Sequence, residues 1–162
     1  MSESARPVDP SSETFIPQST VLIVDDNPQN IELLAAFLES LPVKIVTAAD
    51  GIEALRMVGE HNPDLILLDV MMPHMSGFQV CERVKSDAKT RDIQVLMVTA
   101  LNELGDIERA TECGTDDFVS KPVNKFELHT RVKSLLKVRH LKSELERALT
   151  YLNDMEQQTP EE

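Results

Sequence analysis

Five times along this chain a short apolar run, rich in β-branched residues, ends on a polar cluster and gives way to a stretch of helical period. Few folds accommodate that alternation. TVLIV (20–24) stops at Asp25-Asp26-Asn27-Pro28, VKIVTA (43–48) precedes Asp50, and LILLD (65–69) ends in a carboxylate. IQVLMVTA (93–100) and DDFVS (116–120) follow, the last running into Lys121-Pro122. Such short apolar runs mark strands buried on both faces. Between them lie helical stripes: Ile31, Leu34, Ala35 and Leu38; Ile52, Leu55, Met57 and Val58 behind a capping Asp50; Phe78, Val80, Cys81 and Val84 after Gly77. Asn62-Pro63 stops the second helix. A more polar helix over 103–113 is weakened by Gly105 and closed by Gly114, and Asn124 caps a long final helix. The pattern predicts an α/β fold, a doubly wound five-stranded parallel sheet with helices on both faces.

In such sheets chemistry gathers at the carboxyl ends of the strands. Those ends carry Asp25 and Asp26, Asp69, Thr99 and Ala100, and Ser120-Lys121-Pro122. Taken singly, each residue has a plain structural explanation. Asp69 could be a cap or turn residue, Asp25 and Asp26 could cap the helix at Pro28, Thr99 could be a strand residue and Lys121 a solvated turn lysine. Their conjunction points to chemistry instead. Three carboxylates at adjacent strand ends repel one another unless paired. A hard divalent cation such as Mg²⁺, which prefers oxygen ligands, relieves that repulsion. No His or Cys stands at these positions to favour a softer metal. A carboxylate set among a cation, a lysine and a hydroxyl can attack phosphorus and form an aspartyl phosphate.

Two other nucleotide or phosphate chemistries fail on the residues. A hydrolase of the haloacid dehalogenase type needs a second Asp two residues after its nucleophile, whereas Asp69 is followed by Val-Met and Asp25 by Asp-Asn. A nicotinamide enzyme needs a glycine-rich turn after the first strand, which is lacking.

At these residues the chain resembles a response-regulator receiver domain of two-component signalling. The resemblance runs from about Thr20 to Leu136 through VLIVDDNP, DLILLDVMMPHMSGF, VLMVTA and GTDDFVSKPVN, in order. It implies a flavodoxin-like (βα)5 fold of strand order 2-1-3-4-5 with an extended C-terminal helix. It makes Asp69 the phosphoacceptor, fed by a partner histidine kinase or histidine phosphotransfer protein. Mg²⁺ would be held by Asp26, Asp69 and the backbone carbonyl of Met71, with Asp25 acting largely through water. Thr99 would bind the phosphoryl group, with Ala100 beside it, and shift on activation, while Lys121 would pair with that group. The Lys121-Pro122 bond is expected to be cis. Phe118 takes the aromatic switch position, where it either switches by packing alone or is simply a core aromatic. The domain would assist its own phosphotransfer and dephosphorylation without a separate catalytic module. Its signal would leave through the face made by the fourth helix, fifth strand and fifth helix.

Met71 and Leu101 flank the chemistry two residues beyond Asp69 and Thr99, where many receivers carry polar side chains. Either these apolar residues hinder in-line water and slow dephosphorylation, or they only cover the rim.

The rest of the chain sets the context. Residues 1–19, rich in Ser, Pro and acidic side chains, read as a flexible arm. Residues 20–136 form the receiver, and 137–162 a helical extension that frays at its end. In that extension Val138, Leu141, Leu145, Ala148, Leu152 and Met155 recur in steps of three and four, a heptad seam. A parallel homodimeric coiled coil, a linker to a following module, or a helix packed back on its own domain would each produce it. The net charge of −12 argues against DNA and against anionic membrane surfaces. Neither a signal peptide nor a spanning segment is visible, and Cys81 and Cys113, far apart in sequence, read as reduced thiols of a cytoplasmic protein. Two outputs stay open: a stand-alone phosphorylation-controlled interaction protein, or the regulatory fragment of a larger nucleotide-signalling enzyme of cyclic-di-GMP synthesis or breakdown, or of a hybrid kinase. The polar ending TPEE leans towards the first.

Overall fold

The computed structural model describes residues 16–100 and 104–158, with backbone alone for 104–107 and 158. Strand β1 (Ser19–Val24) leads into helix α1 (Pro28–Phe37), then β2 (Val43–Ala48), α2 (Gly51–His61), β3 (Leu65–Leu68) and α3 (Gly77–Ser86). The chain continues through β4 (Gln94–Thr99), α4 (Leu104–Glu112) and β5 (Asp117–Ser120) to a long α5 (Lys125–Gln158). The strands form one sheet of order β2-β1-β3-β4-β5, and every neighbouring pair is parallel. The register places Val24 beside both Ala48 and Leu68, so β1, β2 and β3 end level with one another.

Alternate side chains of each strand feed two apolar layers. Val21, Ile23, Leu65, Leu67, Leu96 and Val98 pack with Leu34 and Leu38 at α1 and with Leu128, Val132, Leu135 and Leu136 of α5. Leu22, Val24, Ile66, Leu68, Val95 and Met97 pack on the other face with Ala54, Val58, Val80, Cys81, Val84 and Ala110. Burial on both faces is why these strands carry no polar alternation.

The helix ends obey capping chemistry. Asp50 accepts from the Glu53 amide at 2.8 Å and Asn124 from the Glu127 amide at 2.9 Å. Asn62, in the left-handed region, ends α2 ahead of Pro63. Gly114, at a φ of +92°, turns the chain after α4. Ile52 departs from its expected stripe: it is exposed, and the buried face of α2 is Gly51, Ala54 and Val58.

The first strand opens one residue before the expected edge, and the long final helix is present as expected. The arm read over 1–19 does not reach its last residues, because Ile16 is buried and Ser19 opens β1; residues 1–15 lie outside the described chain. At the other end α5 runs unbroken through 136, a helix of about 51 Å at 1.5 Å per residue. Arg139 reaches Asp64 at 3.2 Å, and Asp64 in turn accepts the Thr20 amide at 2.9 Å. The His140 ring contacts the Ser19 hydroxyl at 2.8 Å. These ties fasten the helix to the amino-terminal edge of the sheet, opposite the strand ends that carry Asp25 and Asp69. Beyond them Leu141, Leu145, Leu149 and Leu152 are exposed, so the seam does not fold back on the receiver. The expected fraying falls on residues 159–162, outside the described chain.

Candidate functional site

Three carboxylates converge where β1 and β3 end. Asp25, Asp26 and Asp69 each bring an oxygen to within 4.8 Å of the others'. Backbone bonds hold two of them in place: the Asp25 amide donates to the Ala48 carbonyl at 3.2 Å, and the Asp69 amide to the Val24 carbonyl at 3.0 Å. Both side chains are buried, whereas Asp26 is exposed. The simple capping explanations do not describe them. Asn27 caps α1 by accepting the Gln29 amide, and Ser76 caps α3 in a reciprocal box with Gln79.

Lys121 faces the cluster rather than solvent. Its Nζ lies 3.5 Å from Asp25 Oδ2 and 3.5 Å from Asp69 Oδ1. Its backbone amide donates to the Thr99 carbonyl at 2.9 Å, which joins the end of β5 to the end of β4. The Lys121-Pro122 bond is cis. Asp25, for which a water-mediated part was expected, is the carboxylate that shares Lys121 with Asp69, and it also accepts the Asn27 amide at 2.9 Å. Burial pushes the Asp69 carboxyl above the usual carboxylate range, and the Asp25 charge adds to the push. Lys121 and a hydrogen bond from the Met71 backbone pull it partly back. One lysine therefore does not balance this cluster.

Two features suit it to a further ligand. The Thr99 hydroxyl is buried at the end of β4 with no hydrogen-bond partner among the described residues. An unpaired buried hydroxyl costs about 1–3 kcal/mol, a cost relieved when an acceptor arrives. The three clustered carboxylates form an all-oxygen donor set, which suits a small hard divalent cation. The donor set therefore fits Mg²⁺.

The remaining expected residues surround this centre. Met71 stands at the rim with its side chain 73% exposed, Ala100 is exposed, and Leu101 lies outside the described residues. Phe118 is half-buried, pairs with Met97 across β4 and β5, and packs on the layer that α3 and α4 cover. Sequence reasoning missed Gly77. A Cβ placed there would stand 2.3 Å from the Asp69 carbonyl oxygen, so α3 starts directly against the backbone that carries Asp69. Its sequence signals were a glycine at a first helical position, where other residues serve as well, and its place within DLILLDVMMPHMSGF.

Known proteins agree with this geometry. Residues 21–133 match the response regulator receiver domain family. The response regulator PleD of Caulobacter vibrioides is 45% identical over 108 residues, which cover 67% of this chain and 24% of PleD. The polar-differentiation response regulator DivK of Brucella ovis is 38% identical over 105 residues, 65% of this chain and 85% of DivK. Among solved structures, the receiver domain of a Pseudomonas aeruginosa sensor histidine kinase has a magnesium ion coordinated in its active-site cleft. It superposes with a TM-score of 0.69 at 28% identity, over 75% of this chain and 99% of its own. This chain thus spans about a quarter of PleD and most of DivK. Fold, strand order and family match agree: the chain belongs to the receiver domains of response regulators, the switch domains of two-component signalling.

Proposed function

We propose that this receiver accepts a phosphoryl group on Asp69 from a histidine kinase or histidine phosphotransfer protein and thereby switches a protein-interaction face. The observation that carries the reading is the buried Asp69 carboxylate sharing Lys121 with Asp25. An Asp69 oxygen attacks phosphorus, the bond from phosphorus to the donor nitrogen breaks, and the aspartyl phosphate remains. Lys121 neutralises charge on the phosphoryl oxygens, and the Thr99 hydroxyl donates to one of them. Asp25, Asp26, Asp69 and the Met71 carbonyl would hold Mg²⁺, which supplies further neutralisation when bound. Drawn towards the new oxygens, Thr99 leaves its present position, and Ala100 and Phe118 follow on the α4–β5–α5 side.

The direct test is incubation with a small phosphodonor and Mg²⁺, followed by peptide mapping. A label on the peptide holding Asp69 supports the reading, and a folded, Mg²⁺-loaded protein that stays unlabelled overturns it. Mg²⁺ alone is expected to raise the thermal midpoint, since a ligand at a hundredfold excess over its Kd stabilises by about 2.7 kcal/mol. Asp26→Ala is expected to lose most of that gain, and calorimetry of both proteins checks it.

Met71 sets how long the phosphoryl group lasts. Its side chain is exposed, two residues beyond the acceptor. Met71→Asn is expected to shorten the lifetime of the phosphorylated protein several-fold by offering water a polar partner. An unchanged decay rate makes Met71 a rim cover and nothing more.

The exposed seam of α5 supports pairing with a second copy of the chain, through Leu141, Leu145 and Leu152. Leu145→Glu is expected to leave a well-folded monomer where sedimentation of the parent chain shows a dimer. The same helix can lead into a further module. A second reading is the regulatory part of a larger protein, such as a nucleotide-signalling enzyme; that the similar response regulator PleD is about four times longer than the matched stretch supports a receiver within a longer chain. Reading-frame sequence past Glu162 distinguishes the two. No helix of the described residues is long and apolar enough to cross a membrane. The net charge of −12 supports a reading without DNA contact, and the free thiols of Cys81 and Cys113 support a cytoplasmic location.

A further inference from the structure

Cys81 and Cys113 are 32 residues apart in sequence, yet the fold brings them together. Cys81, fully buried on α3, donates from its Sγ to the Cys113 carbonyl at 3.3 Å. Cys113 follows the last turn of α4, where Gly114 reverses the chain and the Cys113 Sγ lies 3.1 Å from the Ala110 carbonyl. The pair differs in access. Cys81 is sealed in the apolar layer, whereas Cys113, buried in the same layer, also lines a surface pocket of about 190 Å³ with Phe78, Glu82, Arg109 and Glu112. The Arg109 guanidinium sits over the Phe78 ring at 4.6 Å and puts a positive charge at that pocket's wall.

We propose that Cys81 and Cys113 form a reversible redox site, in which a small hydroperoxide oxidises Cys113 and Cys81 then closes a disulfide that ties α3 to the turn ending α4. The Cys113 sulfur attacks the terminal peroxide oxygen; a sulfur–oxygen bond forms, the oxygen–oxygen bond breaks, and the alcohol or water leaves with a proton. The Cys81 sulfur then attacks the Cys113 sulfur. A sulfur–sulfur bond forms, the sulfur–oxygen bond breaks, and hydroxide departs with the Cys81 proton as water. In sum two thiols and one hydroperoxide yield a disulfide, an alcohol (water when the oxidant is hydrogen peroxide) and a second water, with two electrons passing to the peroxide.

The order of events follows from the surroundings. Attack needs a thiolate and an open path. The neighbouring Cys81 thiol draws the Cys113 thiol below the usual range, against the opposing effect of burial. Cys113 in turn, together with burial, pushes the Cys81 thiol up. Cys113 is thus the thiol that meets oxidant and Cys81 the one that resolves it. The consequence is mechanical: α4 would acquire a covalent tie to α3 at one end, independent of the state of Asp69.

The test uses the folded full chain with Mg²⁺. It is treated with hydrogen peroxide, its free thiols are alkylated, and its peptides are mapped without reductant. A Cys81–Cys113 cross-linked peptide is expected, independent of protein concentration and reversed by dithiothreitol. Thiols that both remain alkylatable while the protein stays folded overturn the proposal, as do cross-links found only between chains. In Cys81→Ala a sulfenic acid is expected on Cys113, trapped by dimedone roughly tenfold faster than any on Cys81 in Cys113→Ala, as access and thiolate character dictate. The reverse ranking overturns the assigned order. If either variant unfolds, alkylation kinetics of the two thiols in the unmodified chain give the same ranking.

Discussion

Asp69→Asn is expected to take up no phosphoryl group from either a small phosphodonor or a phosphorylated partner, while keeping its fold. The side chains are nearly isosteric, and Lys121 keeps Asp25 at 3.5 Å. What disappears is the nucleophile, because a neutral amide oxygen is a poor one. The variant also reports on the electrostatics that make the site reactive. Burial and the Asp25 charge raise the Asp69 pKa above 3.8 in the folded chain. The native state therefore holds that proton to higher pH than the unfolded chain does. The stability this contributes is complete below 3.8 and is lost as pH rises through the elevated folded value. Without metal, Asp69→Asn should gain on the parent protein in thermal midpoint as the pH moves from acid to neutral. With Mg²⁺ the parent should recover its deficit and the variant should gain little. A variant that still acquires label on another residue, or whose stability tracks the parent at every pH, would sink both the assignment and its electrostatic basis.

The strands, their order of appearance and the polar residues at their ends were legible because each is a local signal: an apolar run, its stop, and the carboxylate, hydroxyl or lysine at that stop. Asp50 and Asn124 were readable as caps for the same reason. Caps with two candidates were not. Asn27, rather than Asp25 or Asp26, caps α1, and only the tertiary placement of β1 beside β3 brings those aspartates together with Asp69. Contacts across long sequence distances were beyond reach. The Arg139–Asp64 and His140–Ser19 ties depend on α5 crossing the far edge of the sheet, and the Cys81–Cys113 meeting depends on how α4 ends against α3. The long final helix was expected, but its heptad seam does not reveal that the seam's first turn is tied to Ser19 of β1 and to Asp64 just ahead of β3.

Gly77 and Gly59 make a matched pair whose opposite responses test how α3 supports the site. Both lie in helices, where Gly→Ala ordinarily stabilises by about 0.5–1 kcal/mol. A Cβ at Gly59 meets nothing within 4 Å, so Gly59→Ala should raise the unfolding midpoint by about that amount. At Gly77 the added carbon falls 2.3 Å from the Asp69 carbonyl oxygen and 2.8 Å from the Val70 Cα. Those neighbours are backbone, and no side-chain rotation relieves the clash. The Gly77 amide also donates to the Val70 carbonyl at 3.0 Å, which pins the start of α3 to the segment that follows Asp69. Gly77→Ala should therefore destabilise by about 1–3 kcal/mol, the usual cost of overpacking, against its own helix propensity. Because the strain falls on the peptide bearing Asp69, its labelling rate should drop well beyond any loss explained by unfolded protein. Denaturant titration of the two variants beside the parent, with labelling rates measured where each is fully folded, checks both statements. A Gly77→Ala protein as stable as Gly59→Ala, labelling at the parent rate, would show that α3 does not hold Asp69 in register.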